Sequence, residues 1–454
     1  MRITRITSRR SRSRIAARLA GAAAGVLTLA LMATACSSGN TSARSYTDLP
    51  VETGHARNGG TAVVAQTPGL TPSTIFPFAP PSQGSPIAPG VMWRALYHPS
   101  GDPRQTVDFG HSLAEAPTFS PDRKTATIRL QDYSWSNGKP VTASDVVFTV
   151  DLLKAALSKS PANWSFYTPG QFPDGVTAEA RNAKTLTLRL EKPYNSSYLT
   201  AILTELFVLP SADWNVARAD GPHLDYTKPA NAKAIYNYLA KQSANQATFA
   251  SNPLWKVIDG PYQLKSFDPV TGSFTLTENK SYTGPGKPRL SEVRFKAFTS
   301  TAAIFNQYKA GALTVGRLDS SYISQIASLK AQGYNVYGAP SPGRSDPLII
   351  NFKNTTNNFD KVIAKSYVRQ ALQHIINQPG YIKSRGIYDG AAAPNYSPVG
   401  QGTAYPPAFG SKAPYPYDPA AAKKLLADHG WKVVPNGTTT CQAPGTGPTQ
   451  CGAG

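Results

Sequence analysis

The stretch Trp135 to Lys154, WSNGKPVTASDVVFTVDLLK, decides how the chain is read. Just before it, Thr125 to Leu130 (TATIRL) alternates polar and apolar residues, the pattern of a half-buried strand. Asn137-Gly138 supplies a position where positive φ costs little, so the chain can reverse there. Thr142 and Asp145 have the spacing of a capping box with Asp for Glu: the hydroxyl caps one orphan amide while the carboxylate reaches back. Ala143, Val146, Val147, Val150 and Leu153 fall on one helical face, so the helix is expected to pack that face inward. Strand, turn and helix follow from these residues alone.

A chain of 454 residues can bury a large core and ordinarily forms two or three domains. With 16% charged and 41% apolar residues, 39 prolines and 36 glycines, the composition suits a globular α/β protein with many loops. The net charge of +20 is unevenly placed, because seven arginines and no acid precede Cys36. Setting those aside leaves 39 basic and 26 acidic residues, a net +13 without a dense Lys/Arg stripe. Nucleic acid is therefore not an expected partner.

The basic start leads into the apolar run Leu19 to Met32 and then Ala33-Thr34-Ala35-Cys36. Residues 1–35 read as a secretory signal, too short and too Ala-rich for a membrane span. Residues 36–58, rich in Ser, Thr, Asn and Gly, read as a flexible tether. Of three cysteines, Cys441 and Cys451 remain as a pair if Cys36 is modified, and a disulfide between them is expected in an oxidising compartment. Closing so short a loop is worth roughly 2–3 kcal/mol by chain entropy.

Signatures of catalysis are missing. The six histidines form no H-E-x-x-H or other close metal pair, and His374 reads as a satisfied structural residue on an apolar helix. No G-x-S-x-G elbow occurs. Gly286-Lys287 lacks the rest of a phosphate loop, since Ser281 and Pro288 stand where Gly and Ser or Thr are needed. The expectation is a binding protein with no catalytic residue, metal or cofactor.

The opening stretch resembles the signature of the family 5 extracellular solute-binding proteins, receptors that feed oligopeptide and dipeptide ABC importers. That family writes W-S-D-G-x-P-V-T-A-x-D-V-V-F. Trp135, Ser136, Gly138, Pro140 to Ala143 and Asp145 to Phe148 match, with Asn137 for the usual Asp. Similar stretches are Gly59 to Ala65, Val208 to Pro210 with Trp214, Asp259 to Leu264, Phe274 to Tyr282, a strand Ile349 to Phe352, and Val368 to Leu372. Tyr417 to Trp431 resembles the family's Y-D-P-x-x-A-K-K-L-L-x-x-x-G-W, with Asp418 as helix cap and Pro419 at the first helical position. Ala33 to Cys36 resembles a lipobox, with Ala33 for the usual Leu, which implies acylation of Cys36 and a lipid-held protein on the outer face of the membrane.

The resemblance implies an α/β fold with mixed sheets and two lobes, of periplasmic-binding-protein type with an extra domain. Lobe I is expected from residues 59–92 plus 204–297, the extra domain from 93–203, and lobe II from 298–454, with the family pattern continuing beyond Gly454. It implies a monomer that holds a peptide in an interlobe cleft and hands it to a permease with separate ATPase subunits. Strand addition, which relies on main-chain hydrogen bonds, is the expected mode of recognition. The ligand residues expected are Phe78 and Ser82 from the first loop, Trp164 and Tyr167 across a crevice from it, and Asn351. The alternatives are an envelope lipoprotein of the same fold acting in glycolipid assembly, or non-peptide cargo such as a nickel chelate, haem or an oligosaccharide.

Overall fold

The computed structural model describes residues 2–5, 57–70, 72–79, 90–100, 106–337, 348–384, 394–396 and 412–452. In chain order its elements begin with β1 (Arg2–Arg5), β2 (Thr61–Ala65), β3 (His98–Pro99), β4 (Val107–Asp108), β5 (Thr118–Phe119), β6 (Thr125–Arg129) and α1 (Ala143–Lys159). Next come β7 (Val176–Ala180), β8 (Thr185–Leu190), α2 (Ser196–Ile202), α3 (Ser211–Trp214), α4 (Pro229–Ser243), β9 (Tyr262–Phe267), β10 (Phe274–Glu278) and β11 (Glu292–Lys296). The chain goes on through α5 (Thr301–Lys309), β12 (Val315–Arg317), α6 (Ile326–Ala331) and β13 (Tyr334–Tyr337). It ends with α7 (Phe359–Ile363), α8 (Ser366–His374), α9 (Gln378–Lys383), α10 (Pro419–Asp428), β14 (Trp431–Lys432) and β15 (Thr440–Cys441).

The signature stretch folds as its residues dictate. Gly138 takes φ of +84°, and its N–H donates to the Trp135 carbonyl at 2.9 Å, closing the turn. The Asp145 carboxylate reaches back to the Thr142 N–H at 2.8 Å, as the capping spacing requires. The Thr142 side chain meets the backbone N–H of Asp145 to complete the capping box, and its hydroxyl also donates to that same carboxylate at 3.1 Å. α1 is also buried on more than the one face expected, with Val146, Phe148, Val150, Leu152, Leu153 and Ala156 all enclosed. The reason is its position: β7 and β8 lie against it, and so do α3 and α4.

Strands β5-β6-β8-β7 form an antiparallel sheet. Ala126 and Ile128 of β6 and Leu186, Leu188 and Leu190 of β8 are buried, and Arg129 and Arg189 are exposed. That alternation is the period-two pattern of a sheet with one face covered. Asp145 then ties α1 to the rest: its second oxygen accepts from the Ser211 N–H at 2.8 Å and the Ser211 hydroxyl at 2.6 Å, at the start of α3. One turn on, the Thr149 hydroxyl accepts from Leu209 N–H at 2.9 Å.

The larger sheet has seven strands in the order β13-β1-β12-β2-β11-β10-β9. β9, β10 and β11 form an antiparallel meander, while β2 runs parallel to both β11 and β12. This sheet crosses the boundary expected at Phe298, because β12 and β13 continue it beyond β11. Residues 2–5, expected to be the basic head of a secretory signal, pair antiparallel with both β12 and β13. A second departure concerns the core. One contiguous hydrophobic core runs from Ile75 and Phe78 through Phe148, Trp164 and Leu188 to Leu276. The expected lobe I and extra domain therefore share their interior, to which both Phe78 and Trp164 belong. A smaller core of Ile304, Tyr308, Leu313, Leu329 and Val336 lies against Val63 and Ala65 of β2.

Residues 348–452 have a core of their own, Ile363, Tyr367 and Val368 packed on Leu425, Leu426 and Trp431. Asp418 caps α10 by accepting the Ala421 N–H at 2.9 Å, with Pro419 at the first helical position. Cys441 and Cys451 are disulfide-bonded, and the Cys451 carbonyl accepts from the Tyr367 hydroxyl at 3.1 Å, so the bridge clamps the chain end onto α8. The strand expected at Ile349–Phe352 does not form, and Ile349 is 86% exposed. Among the described residues no hydrogen bond or ion pair joins 348–452 to 57–337, so the chain builds two bodies with separate interiors.

Because Asp145 joins the helix start to α3 through two buried hydrogen bonds, Asp145→Ala is expected to cost about 3–5 kcal/mol of unfolding free energy, the range for stripping a partner from a buried charged network. Ser211→Ala is expected to cost about 1–2 kcal/mol. Denaturant titration of both variants checks this, and a loss under about 1 kcal/mol for Asp145→Ala would contradict it.

Candidate functional site

The first loop is fastened before it can reach any solute. The Ser243 hydroxyl at the end of α4 accepts from the Ile75 and Phe76 N–H groups at 3.0 and 2.9 Å. Tyr236 on the same helix donates to the Phe78 carbonyl at 3.2 Å. The Phe78 ring is fully buried and meets Phe76 edge-on at 5.6 Å. In this conformation Phe78 serves the core, not a cleft. Ser82 and Cys36 lie outside the described residues.

In the segment SPANWSFY, Trp164 is also a core residue, packed against Phe172 with its indole N–H on the Glu205 carbonyl at 3.4 Å. Tyr167 is half-buried, and its hydroxyl donates to Asp174 at 2.8 Å. That bond raises the phenol's pKa, since ionising it would set two anions together. The aromatic ring presented to solvent is Phe166, 46% exposed and stacked at a tilt on Trp164. Sequence reasoning passed over Phe166 because period and spacing do not rank three aromatics within four residues.

On the smaller body Asn351 is exposed, and its side-chain oxygen accepts from Lys353 N–H at 3.0 Å, a local turn. Around it stand Leu348, Ile349 and Phe352, all exposed, with the Arg369 guanidinium 5.5 Å from the centre of the Phe352 ring. Tyr381 and Tyr417 are exposed on the same body. Apolar side chains left in water in this number mark a contact surface more often than chance decoration. His374 is satisfied as expected, its ring nitrogen 2.7 Å from the Pro416 carbonyl. Among the described residues no cluster of His, Cys, Asp or Glu could hold a metal, and no helix is long and apolar enough to cross a membrane.

A buried polar joint lies where β9 approaches the chain entering the four-stranded domain. Gly260 N–H donates to the Met92 carbonyl at 2.9 Å, and a Cβ there would come within 2.2 Å of the Val91 carbonyl oxygen, so only glycine fits. Next to it, Asp259 accepts the Arg94 N–H at 2.9 Å through one oxygen, while the other is buried with no partner. The Arg94 guanidinium lies 4.2 Å over the Tyr133 ring and donates to the His111 carbonyl at 2.8 Å. Burial pushes the Asp259 carboxyl up to about 7, against the pull of Arg94.

A seven-stranded mixed sheet with its helices, an added four-stranded layer and a smaller body with its own core define a two-lobed α/β binding protein. The chain belongs to the bacterial extracellular solute-binding proteins, family 5, whose family model (its middle portion) matches residues 109–450. This is a family of substrate-binding components of ABC transporters, not of enzymes, and its members act outside the cytoplasm. A Brucella ovis protein named as an ABC transporter peptide-binding protein is 26% identical over 324 residues, covering 71% of this chain and 52% of the relative. The chain thus spans about half the length of that relative. The oligopeptide-binding protein AppA from Bacillus subtilis, solved with a nonapeptide, superposes with a TM-score of 0.55 at 17% identity, over 84% of this chain and 66% of that one. NikA from Brucella suis, solved with Fe(III)-EDTA, superposes with a TM-score of 0.58 at 18% identity, over 86% and 67%. These superpositions establish the fold.

Asp259 gives the joint a pH signature. A carboxyl raised in the folded state to about 7, from an unfolded value near 4, favours the fold below pH 4 and loses that contribution as pH rises to 7. Asp259→Asn keeps the accepting oxygen and removes the titration. Between pH 5 and 8 the natural protein is expected to lose more melting temperature than the variant; parallel profiles in differential scanning calorimetry would contradict this.

Proposed function

We propose that the chain is the solute-capturing receptor of an ABC importer, and that it holds an extended peptide in the space between residues 57–337 and residues 348–452. The observation that carries this reading is the pair of separate interiors within a chain of this family. Two bodies with no hydrogen bond or ion pair between them among the described residues can move as units, and a ligand touching both biases their closure. Driving closure from 1:99 to 99:1 takes about 5.5 kcal/mol of differential binding, within reach of a peptide's main-chain hydrogen bonds.

In this reading Ser82, Tyr167 and Asn351 face the solute, joined by the exposed Phe166. Phe78 and Trp164 shape the wall from within. Cys36 carries the lipid, residues 1–35 are the export signal, whose removal takes β1 out from between β12 and β13, and 36–58 are the tether. The receptor works as a monomer and delivers cargo to a permease driven by separate ATPase subunits. A chelated metal is the second cargo class, favoured by the resemblance to NikA, which was solved with Fe(III)-EDTA.

Native mass spectrometry of the purified full chain with a mixed peptide library, Fe(III)-EDTA and nickel-histidine in separate arms tests the reading. Peptide adducts are expected, together with a peptide-dependent rise in melting temperature that reflects about 2.7 kcal/mol at 100 times Kd. Phe166→Ala is expected to weaken peptide binding about tenfold, since an aromatic contact is worth roughly 1–1.5 kcal/mol. Adducts in the metal arms alone would overturn the peptide assignment.

A further inference from the structure

A cavity of about 420 Å³ opens at the root of β2, with Asn58 and Gly59 on one side and Glu278 and residues 286–289 on the other. Its walls are bonded to each other. Gly59 N–H donates to the Arg289 carbonyl at 2.7 Å, and the Gly60 carbonyl accepts from Ser291 and Glu292 N–H at 3.1 and 3.2 Å. Gly59 and Gly286 hold φ of +87° and +66°, conformations that let the backbone fold around the opening.

The charges lining this cavity are mixed in a particular way. Lys287 donates its ammonium to the Tyr282 carbonyl and lies 5.5 Å from that ring's centre, which fixes it on the wall. The Arg289 guanidinium and the Glu278 carboxylate make no hydrogen bond or ion pair among the described residues, and Arg289 is exposed. A simple anion would meet Glu278, and a simple cation would meet Lys287 and Arg289. A molecule with an anionic and an ammonium end satisfies all three. Arg presents a fork suited to phosphate, and Lys adds a point charge.

Position in the chain selects the source of such a zwitterion. The segment from Cys36 to Arg57 reaches at most about 70 Å when extended, and roughly 25 Å as a flexible coil. If Cys36 carries lipid, the root of β2 is the part of the folded domain held nearest the bilayer. Resting on that reading, we propose that this cavity takes a phosphoethanolamine lipid headgroup, its phosphate on Arg289 and Lys287 and its ammonium on Glu278. Tethering raises the local headgroup concentration, so weak intrinsic affinity suffices to orient the receptor on the membrane.

The test uses the full chain with Cys36→Ser, so that acylation plays no part, titrated with soluble glycerophosphoethanolamine by isothermal calorimetry. Saturable binding is expected. Arg289→Glu should weaken it at least tenfold, and Glu278→Gln about fivefold while leaving glycerophosphoglycerol binding unchanged; Lys233→Glu on α4, far along the chain, should alter neither. Matching melting temperatures establish that the variants are folded. No saturable binding, or binding indifferent to Arg289 and Glu278, overturns the site. A free dipeptide that competes for it at tenfold lower concentration overturns the lipid assignment. Whether Cys36 is acylated is read separately, from the mass of the exported protein, so failure of the tether is not confused with failure of the cavity.

Discussion

Five hydrogen bonds converge on the Asp145 carboxylate, from the Trp135 indole, the Thr142 amide and hydroxyl, and the Ser211 amide and hydroxyl. A carboxylate taken fully out of water is tolerable only when its oxygens are met by donors in this number. The donors come from three places in the chain: the turn before α1, the first residue of the helix cap, and the start of α3. Each is thereby fixed against the others. The seat of α1 between its sheet and α4, and so the continuity of the large core, rests on that arrangement. It also explains the structural part played by the densest run of family-like residues: Trp135 and Asp145 are interior, and Gly138 serves the turn.

The larger body shows how a two-layer extension can be added without a second interior. The chain leaves β2, is pinned by Ser243 and Tyr236, builds the four-stranded sheet and α1, and returns past Leu209 and Trp214 to β9. At the crossing, Gly260 lets two backbones touch, and Asp259 with Arg94 fills the space beside them. The Trp93, Trp214 and Trp255 rings pack edge-to-face around the same crossing, at 5.2 to 6.4 Å between centres. Such tight apolar packing leaves little freedom for the added layer to move against its sheet. Residues 348–452 pack around a core of their own.

Much of the fold was legible because it rests on local rules. The β6 strand, the Gly138 turn, the Asp145 cap and the Asp418-Pro419 start of α10 all follow from short-range sterics and hydrogen bonding. What was not legible depends on long-range packing. Ile349 to Phe352 has strand composition, yet forms none, and among the described residues no strand pairs with it. The boundary at Phe298 failed to register β12 and β13 because nothing in a three- or four-residue strand says which sheet it joins. Trp164 and Phe78 are expected at the ligand from sequence, whereas both are buried in the core, because composition alone does not tell a pocket aromatic from a core one. Tyr167 is half-buried and Asn351 exposed.

The central claim is that residues 57–337 unfold as one unit around the Asp145 contacts, while 348–452 open independently. Native-state hydrogen exchange on the full chain tests it most directly, by comparing the opening free energies of amides across both bodies. The expected result is a single shared opening for the amides of Ala126, Asp145, Leu209 and Leu276, and a different one for those of Val368 and Ala422. One common opening for the whole chain, or a separate opening of residues 106–203 from β9–β11, would contradict the account.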